Sequence, residues 1–67
     1  MSKEIKLLLG RPVLVKMYRH KELKIYFLGI LERFGDHYVA KNGNSTISFA
    51  DEDIVDIDGT EIQIAYV

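Results

Sequence analysis

Apolar residues recur at helical spacing up to Leu9 and at every second position from Val13 onward, with Gly10-Arg11-Pro12 as the break. Ile5, Leu8 and Leu9 stand at i, i+3 and i+4, with Lys3 and Lys6 off that stripe, which predicts a short helix over about 2–9. Ser2 suits its N-cap, because a hydroxyl accepts one of the unpaired amide hydrogens of the first turn. Gly10 permits the left-handed residue that ends a helix, and Pro12 prevents its resumption. Two turns of helix do not persist alone in water, so this one must dock.

Beyond it, Val13, Val15 and Met17 alternate with Leu14, Lys16 and Tyr18, the pattern of a strand. The polar stretch Arg19 to Lys24 reads as a connection, and Ile25 to Phe34 as a longer strand with Phe27, Gly29 and Leu31 on one face. A glycine at that position marks a sharp bend or a close backbone approach. Turn signals at Gly35-Asp36 and Asn42-Gly43-Asn44 bound the short strands His37 to Lys41 and Thr46 to Ala50. Asp51-Glu52-Asp53 breaks or bulges the pattern, which Ile54, Val55 and Ile57 resume. Asp58-Gly59 then turns the chain into Glu61 to Val67. The expected fold is mostly β: a single domain over 1–67, its short N-terminal helix followed by a five-stranded, strongly bent antiparallel small barrel over about 11–67. Leu14, Tyr18, Tyr26, Leu28 and Ile30 oppose the core set, so the second face of the sheet needs a cover, from the helix or from another chain.

Composition narrows the class. At 67 residues there is room for one domain with a small core, so an oligomer or partner is expected. The absence of cysteine removes disulfides and thiolate zinc sites and fits a reducing, cytoplasmic setting. No apolar run approaches the roughly 20 residues of a membrane span, and no signal-peptide core follows the start. Charge is segregated: residues 1–41 hold all nine bases and four acids, whereas 42–67 hold six acids and no base. A basic half attracts polyanions, and an acidic half can meet the basic half of a neighbouring copy.

The motifs bring a family into view. Gly10-Arg11-Pro12-Val13-Leu14-Val15 and Gly29-Ile30-Leu31-Glu32-Arg33-Phe34 resemble the first motif of the Sm/LSm proteins, ring-forming RNA-binding barrels. Ile57-Asp58-Gly59-Thr60-Glu61-Ile62 has the frame of their second motif. With the leading helix included, the resemblance covers nearly the whole chain. It implies an Sm-like, SH3-like barrel and a homo-oligomeric ring of about five to eight copies, with the Thr46–Ala50 region pairing with Ile62–Tyr66 of the next. It also implies single-stranded RNA held at the pore or helix face, with Asp36, His37, Tyr38, Asp58 and Gly59 as RNA-binding residues. His37 and Tyr38 would offer the flat surface on which a base stacks. Two departures stand out: the acid of the first motif comes one place late with no Asn after it, and the basic residue of the second is Asp58. Lys3, Lys6 and Arg11, or Lys16 and Arg19, offer another face for RNA. The frame Gly10 to Ile57, with its apolar-Gly-x-Leu strand and the late segment Phe49-Ala50-Asp51-Glu52-Asp53-Ile54, is similar to the C-terminal barrel of the ribosome maturation factor RimP, which implies a ribosome-associated module or protein scaffold without an RNA pocket.

Catalysis finds no foothold. His20 and His37 lack the spacing of a metal pair, and the acidic triplet at 51–53 lacks the calcium-loop pattern. Ser45 and Thr46 have no base in a recognisable arrangement, and the five glycines form no phosphate loop. The expectation is a protein that is not an enzyme, with no catalytic residue, cofactor, metal or small-molecule substrate.

Overall fold

A computed structural model describes the backbone of residues 2–66 and the side chains of residues 5–65. The side chains of Ser2, Lys3 and Tyr66, to which a cap, a basic face and a strand alternation were assigned, lie outside the described residues. The N-terminal segment Ser2–Leu8 is a 3-10 helix rather than an α-helix. A three-residue repeat keeps i and i+3 aligned and drops i+4 from the stripe. Ile5 and Leu8 are accordingly buried, whereas Leu9 falls in the turn at the margin of exposure. Gly10 takes a φ of 80° and donates its N–H to the Leu31 carbonyl at 2.7 Å, which ties the end of this helix to the sheet.

The strands are β1 (Pro12–Arg19), β2 (Glu22–Phe34), β3 (His37–Asn42), β4 (Ser45–Ala50), β5 (Ile54–Asp58) and β6 (Glu61–Tyr66). They form one sheet in the order β4-β3-β2-β1-β6-β5. The predicted count of five is one short, because Ile54–Asp58 is a strand of its own. It pairs with β6 in a hairpin across Gly59-Thr60, one place later than the expected Asp58-Gly59 turn, with Ile57 opposite Ile62. The sheet is mixed and not antiparallel throughout, since β6 lies parallel to β1 with Val15 opposite Ile62. That placement leaves β6 paired on both sides, so Ile62–Tyr66 offers no edge to a neighbouring copy. The free edges are β4 and β5, and no ladder joins them, so the described sheet is open.

β2 links the two halves of the sheet. Its residues 22–30 pair with β1 and its residues 30–34 pair with β3, so one long strand serves two half-sheets. The change of partner falls beside Gly29, where a Cβ would sit 2.7 Å from the Lys41 carbonyl oxygen. The close approach expected from sequence is therefore real. Between β1 and β2 the connection is only His20-Lys21, both at positive φ, a tighter hairpin than the polar stretch suggested.

Val13, Val15, Leu31, Ala40, Ile62 and Ile64 project to one face and bury, joined by Tyr38, Phe49 and the helix residues Ile5 and Leu8. The helix thus covers the core face. The opposite face stays open, with Tyr26 63%, Leu28 57% and Ile30 38% exposed. A monomer leaves that apolar strip in water, where contiguous apolar patches mark interaction surfaces.

Candidate nucleic-acid interface and sheet edges

The residues singled out for RNA divide between two turns. Asp36 closes the β2–β3 turn and His37 opens β3, both exposed, with His37 Nδ1 3.3 Å from Asp36 Oδ1. Tyr38 is not at the surface beside them. It is 1% exposed, its ring stacked on Phe49 at a centroid distance of 5.7 Å. Strand alternation forces this: His37, Val39 and Lys41 face one way, so Tyr38 and Ala40 face the core. The Arg33 guanidinium lies 5.1 Å from the Tyr38 ring centre, and its Nη1 donates to Tyr38 Oη at 2.8 Å. Tyr38 therefore serves packing, and of the two flat side chains His37 and Tyr38 only His37 is exposed.

Burial pushes the Tyr38 phenol above its ordinary value, the Asp51 carboxylate adds to this, and Arg33 opposes it. At Lys16, the contact with Glu61 at 2.9 Å holds the ammonium pKa above its ordinary value. In both cases the fold favours the protonated form. Their contribution to stability is thus complete below the unfolded values, near 10 for tyrosine and 10.5 for lysine, and is lost as pH rises through the higher folded values. The expected result is an unfolding midpoint that declines above about pH 10 from the loss of these two contributions. Phenolate absorbance of the wild type minus that of Tyr38→Phe should show Tyr38 ionising above the ordinary tyrosine value; ionisation at or below that value would contradict its burial.

Asp58 ends β5 and Gly59, at a φ of 64°, opens the Gly59-Thr60 turn into β6. They line a concavity of about 370 Å³ together with Leu7, Leu8 and Ile57. None of Asp36, His37 or Tyr38 lines it, and no hydrogen bond or ion pair among the described residues links the two turns. The 3-10 turn Asp51–Asp53 and the whole of β5 separate Asp58 from Ala50, which is the partner of His37. No family model, characterised protein or solved structure matches this chain. The likeness to the Sm/LSm motifs rests on the residues quoted above.

Electrostatics within the protomer leave much charge unpaired. Lys16 meets Glu61, and Lys24 meets Glu22, both at 2.9 Å. Among the described residues, Lys6, Arg11, Lys21 and Lys41 are exposed and in no ion pair, and neither are Glu52, Asp56 and Asp58. Asp53 is occupied locally, accepting the Ala50 N–H at 3.0 Å. A second concavity of about 270 Å³, lined by Tyr18, Lys21, Val55, Gln63 and Ala65, lies on the face that also carries Tyr26 and Leu28. Sequence reading missed it, because Val55 reaches that face only through the register shift between Ile54 and Asp56. No group of three metal-ligating side chains is present among the described residues, and none of their helices is long and apolar enough to cross a membrane.

Proposed function

We propose that the chain is a non-catalytic, self-associating Sm-like module of the cytoplasm that binds single-stranded RNA on its assembled surface. The observation that carries this reading is the unneutralised charge: exposed Lys6, Arg11, Lys21 and Lys41 have no acidic partner within the described protomer. Repeating such a protomer around an axis multiplies that basic surface, and a polyanion is the ligand that spans several copies. The small-barrel character and the ring of about five to eight copies follow from the motif resemblance, and the contact between copies is heterologous, edge β4 to edge β5. His37, exposed beside Asp36, is the flat side chain left for a base.

A second reading, a scaffold that binds protein, is favoured by the buried Tyr38 and by the exposed apolar strip Tyr26, Leu28 and Ile30. Fluorescence anisotropy with short U-rich and A-rich RNAs separates the two. For RNA binding through about three phosphate contacts, log K should fall with log salt at a slope of about −2. Replacing Lys6 and Arg11 together by Glu should weaken that binding by about tenfold or more. No saturation by either RNA up to tens of micromolar would sink the RNA reading and leave the scaffold.

A further inference from the structure

Both register shifts of the described sheet fall around one concavity on its outer face. In the β1–β2 ladder the shift lies between Met17 and Tyr18, and in the β5–β6 ladder between Ile54 and Asp56. Beside the first, the two-residue hairpin His20-Lys21 holds both residues at positive φ, 55° and 65°. Tyr18, Lys21, Val55, Gln63 and Ala65 line the concavity of about 270 Å³ that these irregularities surround. Bulges re-aim side chains and are over-represented next to active sites. Two successive positive φ angles in a hairpin are usually left to Asn-Gly, because a lysine Cβ is strained there. Strain of this kind clusters where function needs the placement.

The lining is chemically divided. Val55, 53% exposed, and Ala65 give an apolar surface. Lys21 brings an ammonium that is in no ion pair among the described residues, and Tyr18 and Gln63 bring a phenol and an amide. None of the five lining residues is acidic, so the cation is left for a ligand. Toward the β5–β6 turn the same face becomes acidic: Asp56 stands opposite Gln63, and Glu61 is held by Lys16. A long polyanion laid along this face meets those carboxylates, whereas a single anion at Lys21 does not. The volume lies below the roughly 300–1,000 Å³ of drug-sized sites and above the roughly 150 Å³ cavity that takes benzene. It suits one ring with a short side chain.

We propose that this concavity binds a small free carboxylic acid with an apolar body, its carboxylate at Lys21 and its body over Val55 and Ala65. Tyr18 and Gln63 supply hydrogen bonds at the margin. The strained hairpin sets the cation, and the bulge in β5 turns Val55 onto the face where the body rests.

Titration of the isotope-labelled full chain with 3-phenylpropionate, followed by amide chemical shifts, tests this. Saturation is expected at about 1 mM, the range open to a fragment of this size, with the largest shifts at the five lining residues. The neutral 3-phenylpropionamide should bind about tenfold more weakly, since a charge-assisted bond is lost. In Lys21→Asn the acid should fall to the affinity of the amide, while the amide is unchanged. Asparagine accepts positive φ, so this variant should unfold no lower than the wild type. Val55→Asp, at an exposed position, should abolish binding of both probes. Equal binding of acid and amide, or an equal loss of both in Lys21→Asn, overturns the anion at Lys21. No saturation up to about ten times the expected concentration, or shifts centred elsewhere, overturns the site. Tighter binding of uridine 5′-monophosphate at the same residues overturns the ligand class in favour of a nucleotide. Tighter binding of N-acetylglycylphenylalanine overturns the free acid in favour of a peptide end.

Discussion

Replacing Tyr38 by alanine is expected to leave little folded protein at 25 °C. The ring is the largest side chain in the fully buried core, stacked on Phe49 and roofed by Arg33. Removing a buried aromatic ring costs about 3–5 kcal/mol, the lost transfer energy plus the cavity. A domain of this size has a total stability in the same range, about 0.05–0.15 kcal/mol per residue. Tyr38→Phe keeps the ring and loses the part-buried bond from Arg33 and the hydroxyl's interaction with Asp51, so about 1–2 kcal/mol is expected. Urea unfolding followed by circular dichroism gives both numbers. An alanine variant no less stable than the phenylalanine one would mean that Tyr38 is on the surface after all. Its role as a base platform would then return.

Gly29→Ala is the second large effect, for a different reason. The new methyl carbon would meet the Lys41 carbonyl oxygen at 2.7 Å, the carbonyl carbon at 2.9 Å and the Phe27 ring at 2.9 Å. Two of those three atoms are backbone of the paired strand β3 and cannot swing away. Either the β2–β3 ladder separates locally or β2 loses its bend, and overpacking of this kind costs about 1–3 kcal/mol, occasionally more. Gly43→Ala is the control: open space surrounds it, and its φ of 62° carries the backbone cost of about 1 kcal/mol. A smaller loss at Gly29 than at Gly43 would show that β2 and β3 do not approach this closely.

These two positions also show what the sequence made legible. The period of two from Val13 onward and the turn residues placed β1 to β4 within a few positions, and Gly29 announced a close approach that the structure contains. The helix was visible as an apolar stripe, but its winding was not, because i and i+3 align in both an α-helix and a 3-10 helix. Only Leu9, outside the buried set, betrays the difference. The parallel placement of β6 beside β1 could not be read from alternation, which fixes faces and says nothing of strand order. A consequence is that the edge available for assembly is β5 and not β6. At the candidate site, alternation itself held the answer for Tyr38: one step along β3 from exposed His37 is the core. The apolar outer face was legible along β2, as Tyr26, Leu28 and Ile30, though not at Val55, and the helix expected as one possible cover sits on the other side.

Self-association is the claim on which the RNA-binding surface and the edge pairing both depend. Native mass spectrometry of the purified chain tests it most directly, since one protomer weighs 7.7 kDa. The account predicts a single species at an integer multiple of that mass, about five to eight copies for a closed ring. A monomer at micromolar concentration would contradict it, and the exposed strip along β2 would then belong to a different protein partner.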